Sequence, residues 1–106
     1  MITDISNEAH FQALIDSQNV ILFKHSTSCS LSADAYREVR SFAESHPEVS
    51  VCMVKVIEHR DFSNRLAEHF QIRHASPQII VIKNGLAVQN YSHRSITQRE
   101  IENSMT

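Results

Sequence analysis

"VILFKHSTSCSLSADAYREV", residues Val20 to Val39, joins an apolar run, an abrupt stop, a cluster of hydroxyl residues around one cysteine, and the start of a helical pattern. Val20, Ile21, Leu22 and Phe23 are consecutive apolar residues without alternation, which predicts a central strand buried on both faces. From about Ser30 to Glu44, Leu31, Ala35, Val39 and Phe42 recur at helical spacing. His46-Pro47 closes that pattern, because the residue before a proline is pushed out of the helical region. Cys29 therefore falls where a strand hands over to a helix.

Outward from this unit, "VSVCMVKVI" (Val49 to Ile57) is rich in β-branched residues and reads as a second buried strand. Two strands joined by a helix form a βαβ unit, whose strands run parallel. On the N-terminal side, Ser6 is placed to cap a helix in which Phe11, Leu14 and Ile15 share a face. On the other side, Asp61 or Ser63 opens a helix with Phe62, Leu66, Ala67 and Phe70 on its buried side. Pro77 precedes Ile79 to Ile82. Asn84-Gly85 then separates this run from Leu86 to Tyr91, a strong hairpin signal. Thr97 caps a last helix, with Glu100 placed to complete a capping box. The predicted order is αβαβαββα: one α/β domain spanning residues 1–106, with a central mixed four-stranded sheet flanked by helices.

Composition narrows the function. The chain has 106 residues and a formal charge of -2. It lacks any lysine or arginine run, which argues against nucleic-acid or anionic-membrane partners. No stretch approaches the ~18 apolar residues of a membrane span, and the first residues lack the basic and apolar blocks of a signal peptide, so a cytoplasmic location is expected. The only glycine, Gly85, excludes a phosphate-cradling loop and a dinucleotide fingerprint. Two cysteines are too few for a disulfide scaffold.

Cys29 is the residue on which chemistry converges. In an open α/β sheet the reactive site lies beyond the carboxyl ends of the parallel strands. A thiol at a helix N-terminus also meets unpaired N–H groups and the positive end of the helix dipole, which favour thiolate. Lys24 and His25 are near enough in sequence to add positive charge. A plain capping role for a small side chain is the competing reading. Cys52, early in the second strand, reads as a core residue too far below Cys29 to form a disulfide with it. His25, His74 and His93 all map to the active end with Cys29, but none has the paired spacing of zinc ligands, and no metal is expected. His10, His46, His59 and His69 read as solvent-facing. The glutamates Glu38, Glu44, Glu48, Glu68 and Glu100 read as solvated helix faces.

The element order, a cysteine at the first strand-to-helix turn and a serine-proline pair before the hairpin together resemble the thioredoxin fold. More narrowly, "FKHSTSCSLSADAY", "VIEHRDFSNRLAEHFQIRHASPQIIVIKNG" and "YSHRSIT" resemble the YtxJ-type bacilliredoxins, small monothiol members of that superfamily. Members of that family commonly carry Thr-Cys-Pro-Ile-Ser at the active turn. This chain has Ser28-Cys29-Ser30-Leu31-Ser32, without the proline.

The resemblance implies a cytoplasmic stress-associated oxidoreductase that removes bacillithiol, or a similar low-molecular-weight thiol, from S-thiolated client proteins, with no bound cofactor and the small thiol as co-substrate. It implies Cys29 as nucleophile, Ser28 and Ser30 beside the thiolate, and Ser32 in the place where dithiol oxidoreductases carry the resolving cysteine. Pro77 then takes the position of the cis-proline facing the nucleophile. Ser76 offers its backbone to substrate, and Lys24, His25 and His93 border the groove. Two other readings stay open at this point: a thioredoxin-like module that docks clients without turnover, and a glutaredoxin-like protein using glutathione.

Overall fold

The computed structural model describes residues 1–105. Its elements are β1 (Ile2–Asp4), α1 (Glu8–Asp16), β2 (Asn19–His25), α2 (Ser30–Ser45), β3 (Ser50–Lys55), α3 (Arg60–Phe70), β4 (Gln78–Lys83), β5 (Leu86–Ser92), a 3-10 turn (His93–Ser95) and α4 (Gln98–Ser104). The strands form one sheet in the order β1-β3-β2-β4-β5. The sheet thus has five strands rather than the expected four. The additional one is a three-residue edge strand, Ile2 to Asp4, paired parallel to Val51, Cys52 and Met53. Only Ile2 of the three is partly buried. So short and polar a segment has no periodicity to announce it.

β2 lies in the centre, parallel to β3 and antiparallel to β4. Its apolar run divides by the two-residue period of a strand. Ile21 and Phe23 enter one core layer with Ala35, Val39 and Phe42 of α2 and Ile101 of α4. Val20 and Leu22 enter the other with Phe11 and Leu14 of α1 and Phe62 and Leu66 of α3. Helices therefore cover both faces of the sheet, and β2 contributes side chains to both layers.

Local signals act where the sequence puts them, with small displacements. Asn7, not Ser6, caps α1, accepting the His10 N–H at 3.0 Å, while the Ser6 N–H donates to His10 Nδ1 at 2.9 Å. α3 begins at Arg60, and its cap residue His59 makes no side-chain capping bond. Asn84 and Gly85 both have positive φ, 54° and 79°, as a two-residue hairpin turn of the primed type requires. Thr97 caps α4 by accepting the Glu100 N–H at 3.1 Å.

His46 departs from the solvent-facing expectation. It is half-buried, stacks on Phe42 at 4.8 Å and places Nε2 2.8 Å from Glu102 Oε2, tying the end of α2 to α4. His69 is exposed but sets its ring edge-on to Phe11 and Phe70. Among the described residues, no helix is long and apolar enough to cross a membrane.

Candidate functional site

The parallel pair β2 and β3 sets one end of the sheet apart. His25 ends β2, and after Ser26, Thr27 and Ser28 the chain reaches Cys29, the N-cap of α2. The Cys29 N–H donates to the Ser26 carbonyl at 3.3 Å, and the Cys29 carbonyl accepts the Ala33 N–H at 3.0 Å. The thiol is free and half-buried, and it makes no side-chain capping bond. The sulfur thus sits at the mouth of a helix of 16 residues. Ser28 and Ser30 flank it as exposed residues.

Antiparallel pairing brings the prolyl segment to the same end. Gln78 pairs with Lys24 in β2 and with Ser92 in β5, so β4 begins and β5 ends near the Cys29 turn. The Ser76-Pro77 peptide bond is cis, and Pro77 is buried. The Pro77 carbonyl accepts the His93 N–H at 3.0 Å, which fastens the 3-10 turn to the prolyl segment. His93 is exposed, with φ 57°. A groove of about 440 Å³ runs between Leu31 and Ala35 of α2 and the turn residues His93 and Arg94. A second, about 450 Å³, opens on the other side of the Cys29 loop between His25, Thr27 and Tyr36. A larger depression of about 530 Å³ lies at the opposite end of the sheet among Gln18, Ser50 and Lys83, away from the thiol.

Strand period separates two neighbours in sequence. His25 points to the α2 side: its ring stacks on Tyr36 at 5.3 Å, lies 5.2 Å from Phe23, and places Nδ1 2.8 Å from Ser32 Oγ. Ser32 is fully buried, and its oxygen also accepts the Ser26 N–H at 2.9 Å. Burial holds the His25 pKa below the ordinary imidazole range. Lys55 acts the same way, while Glu58 and Asp4 pull upward.

Lys24 lies on the opposite, α3 side of the sheet, which corrects the expectation that it adds charge beside Cys29. It is fully buried, donating from Nζ to the Ser63 carbonyl at 3.2 Å and lying 3.1 Å from His74 Nδ1. Desolvation lowers its pKa to about 8. Burial, with Lys24 and Arg60 nearby, also depresses His74.

The same division separates the histidines. His25 is engaged on one face of the sheet, His74 on the other, and His93 stands exposed with Nδ1 3.1 Å from its neighbour Ser92 Oγ. Among the described residues, no group of three or more His, Cys, Asp or Glu is arranged to hold a metal ion. Cys52 pairs with Leu22, three residues before the end of β2, and is free. It is half-buried against the α1–α3 core layer rather than enclosed in it, and burial pushes its thiol pKa up.

Two features of the site escape a reading of the chain alone. The bonds of Ser32 to His25 and Ser26 reach back seven and six positions in the chain, and a sequence pattern carries no sign of them. The Lys24–His74 contact spans 50 residues. Its one local signal is the unusual lysine directly after four apolar residues of a central strand.

Comparison with known proteins bears on the family and the fold. The family described as monothiol bacilliredoxin BrxC matches residues 2–101. Among solved structures, a protein described as a candidate oxidoreductase with a thioredoxin fold superposes with a TM-score of 0.92 at 26% identity, covering 99% of this chain and 94% of its own. Thioredoxin from Fasciola hepatica matches with a TM-score of 0.74 at 18% identity, covering 97% of this chain and 95% of its own. Mitochondrial thioredoxin 3 from Saccharomyces cerevisiae gives 0.76 at 18% identity, with coverage of 97% and 92%. The two thioredoxins, at such identities, speak to architecture alone: the fold is that of thioredoxin.

Proposed function

The chain belongs to the monothiol bacilliredoxin family, and from that premise we propose that it removes bacillithiol from mixed disulfides on client proteins, with Cys29 as nucleophile. A thiol redox function follows from the family and fold; the identity of the small thiol and the roles of the surrounding residues are our reading. The observation that carries it is the placement of Cys29: a half-buried free thiol at the N-cap of α2, at the sheet end where the Ser76-Pro77 segment begins β4.

The exchange proceeds in two displacements. Cys29 thiolate attacks the bacillithiol sulfur of the mixed disulfide. A new S–S bond forms to Cys29 as the old one breaks, and the client leaves as a thiolate that takes a proton from water. A second bacillithiol thiolate then attacks the bacillithiol sulfur of the disulfide on Cys29. It releases oxidised bacillithiol and regenerates the Cys29 thiolate, so the small thiol supplies both electrons. The helix N-terminus favours the anionic sulfur in each direction. An internal exit has no sulfur to use: the position one helical turn on is Ser32, and Cys52 is held by β3 at the level of Leu22. The client's extended backbone would lie along the Ser76-Pro77 edge, with Ser28, Ser30 and His93 at the rim.

The test is release of bacillithiol from a protein carrying the mixed disulfide, by wild type and by Cys29→Ser. Loss of release in the variant supports the assignment; undiminished release overturns it. The absence of a capping bond on the Cys29 sulfur favours a second reading, a module that binds clients without turnover. Alkylation of Cys29 across a pH series separates the two, since a midpoint at the free-thiol value of about 8.5 supports the passive module and a clearly lower one the enzyme.

A further inference from the structure

Ser32 stands one helical turn beyond Cys29, yet its hydroxyl is engaged away from the sulfur. Its oxygen accepts the Ser26 N–H at 2.9 Å and lies 2.8 Å from His25 Nδ1, within a residue that is fully buried. The Ser26 carbonyl in turn accepts the Cys29 N–H at 3.3 Å. One oxygen therefore links the last residue of β2, the first residue of the loop and the first turn of α2. Cys29 lies inside the ring so closed.

The histidine is itself held. Its ring packs between Phe23 and Tyr36, with centroid distances of 5.2 and 5.3 Å. Burial disfavours the imidazolium, and a neutral ring offers Nδ1 as acceptor for the Ser32 O–H while the same oxygen accepts the Ser26 amide. The buried Ser32 hydroxyl then both donates and accepts, and His25 Nδ1 has its partner, the kind of satisfied network that stiffens a structure.

We propose that His25 is a positioning residue for Cys29: through Ser32 it clamps the Ser26–Cys29 turn, so the hydroxyl in the place of a second sulfur acts as a strut. This rests on Cys29 being the nucleophile, and it assigns Ser32 a task of its own. Ser30, not a proline, directly follows the cysteine, and the clamp supplies order to the same turn from beneath.

The test uses two replacements that divide the ring from the bond. His25→Phe keeps an aromatic ring between Phe23 and Tyr36 and removes the nitrogen; His25→Asn keeps a polar atom near Nδ1 and removes the ring. Ser32→Ala removes the strut from the other end. The readouts are hydrogen exchange of the Ser26 amide and the pH profile of Cys29 alkylation by iodoacetamide. His25→Phe and Ser32→Ala should each speed Ser26 exchange about threefold to tenfold, and the double variant should show little further change. The pH profile of Cys29 alkylation should change in the same variants, with His25→Asn restoring most of both effects.

Exchange at the wild-type rate in His25→Phe overturns the proposal. So does an equal effect in His25→Asn, because it would assign the order to ring packing. A wild-type midpoint at the free-thiol value would overturn the nucleophile reading alone, since the exchange comparison does not involve sulfur and still decides the strut.

Discussion

Lys24 Nζ lies 3.1 Å from His74 Nδ1 and 3.2 Å from the Ser63 carbonyl, joining the central strand to α3 and to the segment that leads into Ser76-Pro77. This buried ammonium has its pKa lowered from 10.5 to about 8 by desolvation. Between those two values the unfolded chain binds more protons than the folded one, so stability should rise with pH across that window. Lys24→Met keeps much of the packing volume and removes the titration. The wild-type minus variant difference in unfolding free energy should grow by on the order of 3 kcal/mol from about pH 8 to about pH 10.5, measured by denaturant titration. A flat difference would contradict the buried, desolvated placement.

His46 and Glu102 give the opposite dependence at lower pH. The Glu102 hydrogen bond raises the His46 pKa above its usual value, and the His46 bond lowers that of Glu102. A raised histidine contributes stability that is fully present below about 6.5 and is lost as pH rises through the folded pKa. Glu102 contributes above its ordinary value and loses that contribution as pH falls through its lowered one. The thermal midpoint of wild type should therefore exceed that of His46→Gln most near about pH 5.5, and the gap should narrow by about pH 8.5. A gap independent of pH would assign the effect to stacking on Phe42 alone.

Cys52 should remain a bystander. Its thiol pKa is raised by burial, and its strand holds it at the level of Leu22. Exposure to oxidised bacillithiol should produce one adduct by intact mass, on Cys29. Diamide treatment at low protein concentration should produce no intramolecular disulfide. Cys52→Ala should leave Cys29 alkylation kinetics unchanged, and a second adduct at comparable rate would refute this.

Gly85 is the point of least tolerance in the hairpin. Its φ is +79°, and a Cβ there would stand 2.6 Å from the Ile15 carbonyl oxygen. The adjoining Asn84 N–H donates to the Gln18 carbonyl at 2.7 Å, so the turn is fixed against the end of α1. Gly85→Ala should destabilise the protein by about 1–3 kcal/mol, through positive φ and the backbone clash together. Thermal unfolding measures this directly, and an unchanged midpoint would show that the turn can shift away from α1.

Much of the fold is readable because its signals are local. Asn84-Gly85 needs only its own conformational freedom to mark the hairpin. Val20 to Phe23 marks the central strand because four consecutive apolar residues leave no polar face for water. His46-Pro47 stops α2 by the clash that proline imposes on its predecessor. β1 escapes such reading because three residues at a sheet edge have too little burial to impose a pattern. The true cap of α1, Asn7, lies one residue from the expected Ser6, and that of α3, His59, lies two or four residues before the expected Asp61 or Ser63. Neighbouring polar residues compete there for the same turn.

The candidate site divides along the same line. Order along the chain is enough to put Cys29 at a strand-to-helix junction, Ser32 one turn further and Ser76-Pro77 at the start of the antiparallel hairpin. These follow from strand direction, since β4 must begin where β2 ends. Which face Lys24 and His25 occupy, and what their polar atoms meet there, was decided only by packing. Residue alternation separates the two but does not say which one faces α2. That choice depends on which apolar layer each helix completes, and hence on contacts far apart in the chain, from the 50 residues between Lys24 and His74 to the packing of Phe23 with Ile101. Sequence determined the position of the sulfur because backbone direction is a local property; tertiary structure decided its surroundings because burial belongs to the whole chain.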